Sequence, residues 1–413
     1  MPTIEEIRDN RIKKLAKIKA AGLDAYPLET KRTHTIGQAL KDFAKLEKSK
    51  KIVVLAGRIM AIRSFGALAF LKFEDPTGRF QAVLRKEGMG PAAFDQFVEL
   101  MDVGDFAEFK GQIVETKTGE KSVDVQSWKI LAKGLMPMPE KWHGLQDLEE
   151  RYRKRYLDLL FNPEVKEKFA LRSRIISLIR EFMGKQGFME VETPILQPLY
   201  GGAKAKPFKT HINAFDLDIF LRVAPELYLK RLIIGGYEKV YEIGKAFRNE
   251  GVDKYHNPDF TIMEYYWAYA DYRDMMKMTE KMFDFLVKKI FKTDKIKIGE
   301  QEVSFKAPWT RIEFRDLLQK YAKVDYDLYD AKGLAEQAKK LGVEIEKGAG
   351  KAEIADEIYK KFCRPQLINP TFIIHHPLGF QPLAKAKDDK HLANFQVVLA
   401  GTSDQLTAQR RQP

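Results

Sequence analysis

The apolar residues of this chain change period along its length, and each change predicts a different element. In residues 3–21, Ile4, Ile7, Ile12, Leu15 and Ile18 recur at helical spacing. Thr3 stands where an N-cap belongs, Glu6 completes a capping box and Gly22 supplies the stop. From Lys51 to about Lys133 the pattern shortens to alternation in the segments IVVLAGRIMAIR, ALAFLKFED, RFQAVLRK, DFAEFKGQIVETKT and KSVDVQSWKILAK. Turn residues separate them: Asp75-Pro76-Thr77-Gly78, Gly104-Asp105 and Thr118-Gly119-Glu120. After Pro163 a helical period returns over Glu164 to Gln186, with Phe169, Leu171, Ile175, Ile176, Ile179 and Phe182 on one side.

Five short strands with a helical stretch, Pro91 to Met101, between the third and fourth predict a small Greek-key barrel of the OB type. Such barrels hold single-stranded nucleic acid by stacking bases on exposed aromatics. Phe70, Phe73 and Phe80 are the candidates, with two of the three assigned to the core. The opposite face of the first helix (Arg8, Arg11, Lys13, Lys14, Lys17, Lys19) is basic; it suits either a nucleic-acid backbone or plain solvation. Residues 134–162 open with two prolines and end in a charged helix, as an interdomain connector does; within them His143 beside Trp142 has no acid–base partner nearby and reads as structural.

The second half alternates strands and helices. Helix, Gly187, the extended run Phe188 to Pro194 and the glycine-rich basic loop Leu199 to Phe208 come first. Strands then follow over Phe215 to Arg222, Val240 to Gly244 and Phe260 to Tyr266, with a helix over Pro225 to Gly235. Strands joined by hairpins predict an antiparallel sheet with helices packed on it, an α+β arrangement. Residues 311–363 read as helical. The chain contains neither GxxxxGK[ST] nor GxGxxG, so nucleotide binding of those kinds is excluded.

Length and charge add to this picture. At 413 residues the chain exceeds what one core supports, and its net charge of +13, with 71 Lys and Arg over 58 Asp and Glu, suits a polyanionic partner. The single cysteine, Cys363, excludes a disulfide framework and a thiolate metal site. No apolar run near eighteen residues and no leader after Met1 are found, so the expectation is a cytoplasmic protein with no membrane contact.

The densest chemistry lies in Lys239 to Ala270, a long hairpin with a loaded tip. Arg248 at a strand end can grip a phosphate through paired hydrogen bonds, and Glu250 can accept from an amine such as that of adenine. Phe260 offers a stacking face, while His256 and Asn257 offer reach to distal phosphates. Glu226 opens the neighbouring helix. Alternation sets Glu264 and Tyr266 on one face of the returning strand, so a cationic ligand fits between carboxylates and a phenol. In the loop before them, Gly201 and Gly202 allow close approach to a ligand, or only a connection.

These residues resemble the class II lysyl-tRNA synthetases (lysine–tRNA ligases) over nearly the whole chain. Gly187-Phe188 through Pro194 and Pro198 is similar to motif 1 of class II. Phe247 to Glu250 with His256-Asn257-Pro258 is similar to motif 2 of the aspartate, asparagine and lysine subgroup. AGRI, TKTGE, KWHGL, RYRKRYLDL, GGAKAKPF and APELYLKRL, in that order, single out the lysine member. The resemblance implies domains at 1–50 (helical extension), 51–133 (OB-fold, anticodon-binding), 134–162 (linker) and 163–413 (catalytic, with a helical insertion over about 311–363). It implies ATP and lysine as substrates, tRNA-Lys and a second copy of the chain as partners, and Mg²⁺ as cofactor.

By the same resemblance Phe70, Gln81 and Glu120 contact the anticodon. Gly202, Glu226, Glu264 and Tyr266 form the lysine pocket, and Arg248 holds the α-phosphate and the lysine carboxylate. Glu250 takes the adenine amine, Phe260 the adenine face, and His256 with Asn257 the rest of ATP. Glu226 and Glu264 suit an amine and disfavour aspartate, and the barrel disfavours a relative that lysylates proteins. Gln381 stands where the family has serine. Beyond Gly401 the family continues with two metal-holding glutamates and motif 3 with its second arginine, whereas this sequence reads TSDQLTAQRRQP. The expectation is therefore a chain shortened before motif 3, with no identifiable metal ligands and weak or no activity alone; a tRNA-Lys-binding fragment without catalysis is the alternative.

Overall fold

In the computed structural model, which describes residues 2–138, 145–203, 205–253, 256–381 and 384–401, Thr3 and Glu6 close the capping box of α1 (Ile4–Ala20). Glu6 N–H donates to Thr3 Oγ1 at 3.2 Å and Thr3 N–H to Glu6 Oε2 at 2.8 Å. One residue of its basic face departs from expectation. Arg11 is buried, its Nη1 donating to the carbonyls of Gly134 and Met136 and its Nη2 to that of Val103. Three carbonyls converge there, and a guanidinium is the side chain with donors enough to satisfy them together. Lys14 and Lys17 likewise pair with Asp102 and Glu99, so about half of the basic face is engaged within the protein. Ile4 and Ile12, expected on the packed side, are exposed, while Ile18 is fully buried.

After α2 (Ile36–Lys41) and α3 (Phe43–Ser49) the alternating segments form β1 (Ile52–Phe65), β2 (Leu68–Asp75) and β3 (Gly78–Arg85). Helices α4 (Lys86–Met89) and α5 (Pro91–Leu100) then precede β4 (Phe106–Glu115) and β5 (Lys121–Ala132). The strands close into a barrel in the order β1-β2-β3-β5-β4, the parallel β3/β5 pairing completing the ring. Period two decides which side chains fill it: Leu55, Leu71, Phe73, Phe80, Phe109 and Val125 point inward, and α5 adds Phe94 and Phe97. Phe73 and Phe109 pack with ring centroids 4.9 Å apart, a contact worth about 1 kcal/mol beyond area burial. Lys133, fully buried, bonds Asp102, Asp105 and the Leu100 carbonyl where the barrel strands end.

The connector folds as α6 (Leu148–Arg153) and α7 (Arg155–Phe161), where Arg151, Arg155 and Asn162 converge on the buried Asp158. Trp142, His143 and all of KWHGL but Leu145 lie outside the described residues. So do Lys204, Lys254, Tyr255, Pro382, Leu383 and everything from Thr402 on, including Asp404.

The chain divides into two compact units between Lys166 and Glu167. The second is entered along α8 (Pro163–Lys185), which leads to the short strands β6 (Met189–Glu190) and β7 (Leu196–Gln197). Next come β8 (Lys209–Ile212) and β9 (Leu217–Leu221), a hairpin in which β8 was not anticipated, then α9 (Glu226–Ile234) and the long antiparallel hairpin of β10 (Lys239–Phe247) and β11 (Asp259–Trp267). β6 joins β10 in parallel. On one face of this sheet Tyr241, Ile243, Met263, Tyr265 and Trp267 pack with Phe182, Met183 and Phe188, and with Met278 of α10 (Tyr272–Phe291).

The remainder is β12 (Lys295–Ile298), β13 (Gln301–Ser304), β14 (Thr310–Glu313), α11 (Phe314–Leu317), α12 (Ala331–Lys340), α13 (Lys351–Ile358), β15 (Thr371–Ile374) and β16 (Phe395–Val398). The stretch expected to be helical from 311 therefore begins as a strand. Thr310 to Glu313 pairs in parallel with β15, a partner about sixty residues away, and that ladder outweighs local helical preference. From Phe314 to Cys363 the helices pack around Phe314, Leu318, Ile354 and Tyr359, in a core completed by Ile373 of β15 and Val398 of β16.

Candidate active site

The face of the β10/β11 hairpin opposite its apolar core gathers most of the anticipated site residues. Register pairs Val240 with Tyr266, Glu242 with Glu264, Gly244 with Ile262 and Ala246 with Phe260, so the even-numbered residues of both strands share that face. Beyond Ala246, Arg248 is fixed by its own N–H donating to the Pro258 carbonyl at 2.9 Å. Its guanidinium lies over the Phe260 ring, 5.0 Å from the centroid. Arg248 Nε is buried and has no hydrogen-bond partner among the described residues. Burial lowers the Arg248 pKa, against the pull of Glu250 and Glu264, and a cation so desolvated favours an anionic ligand.

Three groups meet at the other end of the face. Glu226 is the first residue of α9, where the helix N-terminus favours a carboxylate, and it forms an ion pair with Lys230 one turn on. Tyr266 donates its hydroxyl to Glu264 Oε2 over 3.4 Å. The Glu264 carboxyl is raised to about 7, first by burial and then by the charge of Glu226, with Glu242 adding a smaller push and Tyr266 and Arg248 acting in the opposite sense. Burial and the two carboxylates also raise Tyr266 far above an ordinary phenol, so it stays a donor. Lys230 already pairs with Glu226, so the carboxyl left without an ion pair is Glu264, and a ligand ammonium would supply one.

Gly202 closes the loop over this pocket. It sits at φ +89°, and a Cβ there would come within 2.8 Å of Glu226 Cβ and 3.1 Å of Ala224 Cβ. The loop thus approaches the carboxylates and is more than a connection. It also meets the hairpin tip, since Lys206 N–H donates to Glu250 Oε1 at 3.1 Å and Asn249 N–H to the Lys206 carbonyl. The structure brings Gly202, Glu226, Glu264, Tyr266, Arg248, Phe260 and Glu250 into one region. His256 and Asn257 stand at the hairpin tip, His256 held by Asp253 through Nδ1 at 2.6 Å and Asn257 exposed; neither makes a described contact with Arg248.

One network on this face escaped the sequence reading. Arg222, at the end of β9, reaches Glu242 with Nη1 and the Lys245 carbonyl with Nε, and both residues are almost fully buried. Thr193 donates N–H and Oγ1–H to Glu242 Oε2. Gly244 makes the room, for a Cβ there would lie 2.3 Å from Arg222 Nη2. The available signal was a charged residue two positions before a glycine on the same strand face.

In the barrel, the same alternation that buries Phe73 and Phe80 leaves Phe70 half-buried on the outer surface. Lys72 is the cross-strand partner of Gln81, Gln81 Nε2 donates to Ser122 Oγ at 3.0 Å, and Glu120 lies 3.6 Å from Lys72. Phe70, Gln81 and Glu120 therefore belong to one patch with an aromatic face and mobile polar ends, suited to an unstacked base.

A separate cavity of about 510 Å³ is lined by Tyr272, Arg273, Lys277, Arg311 and His375 among others and holds none of the anticipated site residues. Among the described residues no three His, Cys, Asp or Glu are grouped to hold a metal ion. The Mg²⁺ that the family resemblance implies is of a kind held by one or two carboxylates together with substrate phosphates. No helix of the described residues is long and apolar enough to cross a membrane.

Residues 147–409 match the family of class II tRNA synthetases (D, K and N), and residues 53–131 match the OB-fold nucleic acid binding domain. The chain is 44% identical over 402 residues to the lysine–tRNA ligase of Roseiflexus sp. (strain RS-1), covering 96% of this chain and 82% of that protein. It is 44% identical over 387 residues to that of Carboxydothermus hydrogenoformans, covering 94% and 79%. With that of Thermosipho melanesiensis it shares 42% identity over 405 residues, covering 96% and 80%.

Proposed function

We propose, from the premise that this chain belongs to the class II lysine–tRNA ligases, that it activates lysine with ATP and transfers it to tRNA-Lys. The observation that carries this reading is the single sheet face with Glu226, Glu264 and Tyr266 at one end and Arg248 over Phe260 at the other. The substrate side-chain ammonium lies between the two carboxylates, and its own carboxylate points toward Arg248. A lysine carboxylate oxygen attacks the α-phosphorus of ATP while the bond to the bridging oxygen breaks and pyrophosphate leaves. A ribose hydroxyl at the tRNA 3′ end then attacks the carbonyl carbon of the adenylate, releasing AMP and a proton.

Neither step requires a covalent enzyme intermediate. Arg248 neutralises charge at the reacting phosphate, Phe260 and Glu250 hold adenine by its face and amine, and His256 with Asn257 extend toward the distal phosphates. A neutral or shorter side chain would leave the Glu264 carboxylate without a cation beside Glu226, which is how the pocket discriminates. Phe70, Gln81 and Glu120 read the anticodon from the barrel surface. The apolar residues Leu196, Leu199, Phe215 and Leu217, all exposed on this chain, suit a homodimer interface. The single Cys363, buried with its thiol raised to about 12 by burial, is in keeping with work in the cytoplasm.

Lysine-dependent exchange of pyrophosphate into ATP by the purified 413-residue chain tests the reading, with tRNA-Lys binding measured beside it. Exchange above the rate without lysine, weak or strong, is the expected result. Binding of tRNA-Lys with no exchange would instead identify a chain that binds tRNA without catalysing adenylation.

A further inference from the structure

The role of Arg222 and Glu242 follows from where they stand. Glu242 is the cross-strand partner of Glu264, on the same face of the hairpin, so without a counter-ion it would set a third carboxylate beside Glu226 and Glu264. Arg222 reaches it from another strand and is itself held at several points. Its N–H donates to the Ile195 carbonyl, its Nε to the Lys245 carbonyl and its Nη1 to the Thr193 carbonyl and hydroxyl, while its own carbonyl accepts from Phe247 N–H. Arg222 thereby joins the segment after β6, the start of the chain leading to Glu226, and the strand end that carries Arg248. Neither Arg222 nor Glu242 is placed to touch a ligand, since both are almost fully buried. A buried pair between apolar residues would cost less to desolvate, which makes a charged pair at this point a question of function.

We propose that Arg222 and Glu242 are the positioning and charge-setting pair of the amine pocket. Arg222 cancels Glu242 beside Glu264, so that a ligand ammonium meets Glu226 and Glu264 and not a third uncompensated carboxylate. This rests on the reading that Glu226 and Glu264 seat an ammonium. Its consequence concerns selectivity: an uncompensated charge of either sign at this pair shifts the preference between lysine, which has one carboxylate to place against Arg248, and the doubly positive diamine.

Calorimetric titration of the full chain with lysine and with cadaverine, lysine without its carboxylate, tests this. For Arg222→Gln, which leaves Glu242 uncompensated, the ratio of cadaverine to lysine affinity is expected to rise roughly tenfold. For Glu242→Gln, which leaves the arginine uncompensated, the ratio is expected to fall by a similar factor, and the double variant Arg222→Gln/Glu242→Gln is expected to return near the wild-type ratio. Because the two single variants have opposite signs, either one that folds is informative, and the double variant carries no unpaired buried charge. A ratio unchanged in the single variants, with both affinities weakened in parallel, would overturn the charge-setting role and leave a purely structural pair. Absence of lysine binding by the wild-type chain would overturn the amine-pocket reading itself.

Discussion

The barrel and the β10/β11 hairpin are built on the same period of two, yet they use it differently. In the barrel, one side of each strand is apolar and fills a closed interior, and the other meets solvent. In the hairpin, the second face is also partly covered, and beside the apolar Val240 and Ala246 it draws charge inward: Glu242 and the Arg222 that reaches it are almost fully buried, Glu264 and Arg248 half-buried. A face that buries apolar groups contributes stability, at roughly 25 cal/mol per Å². A face that buries charge gives up stability in order to hold dipoles and ions in fixed places, which is the arrangement a polar reaction needs.

Buried ions break the comparison most forcefully, because each region also contains one in a supporting role. Lys133→Met in the barrel unit and Arg222→Met in the other each leave a buried carboxylate without its cation and should cost about 3–5 kcal/mol, read as a shift in urea unfolding. Equal losses would mean that both pairs are scaffold by stability alone, and ligand selectivity then separates them.

A smaller effect comes from Glu264, whose burial, with the charge of Glu226, raises its folded pKa to about 7. A carboxyl with a raised pKa binds its proton more tightly folded than unfolded, so its unfavourable contribution is absent below the unfolded pKa and grows as pH rises through 7. Glu264→Gln should therefore stabilise the chain more at pH 8 than at pH 5, by thermal unfolding at both. Wild-type lysine affinity should rise over the same interval, since the charged form holds the ammonium. A Gln variant with the same pH dependence as wild type would remove Glu264 from the pocket.

The smallest change in stability is expected at Phe70. Phe70→Ala should cost under about 1 kcal/mol of unfolding free energy, whereas Phe73→Ala, in the barrel interior, should cost about 3–5 kcal/mol. In tRNA binding the order reverses at Phe70, where loss of one stacking partner should weaken affinity about tenfold, as a filter-binding titration would register. An unaffected tRNA affinity would place the nucleic-acid surface elsewhere on the barrel.

Most of this was legible along the chain because it is local. The capping box of Thr3 and Glu6 spans three residues. The segregation of Phe70 from Phe73 and Phe80, and of Glu264 and Tyr266 from Tyr265, needs only the alternation of a strand. The Arg-Glu-Phe cluster at the hairpin was visible because a turn brings those residues together from one continuous stretch.

What the sequence by itself determined, then, was the barrel, the hairpin and which side chains share each strand face, since periods of 3.6 and 2 are properties of the local backbone. Only the tertiary structure decided which charges would be buried and with whom. Arg11 meets Gly134 across 123 positions, Thr193 meets Glu242 across 49, and Arg222 meets Glu242 across 20. It also turned Thr310 to Glu313 into a strand through β15. A buried ion tolerates only the partner that the fold delivers to it, and at such separations no pattern in neighbouring residues names that partner.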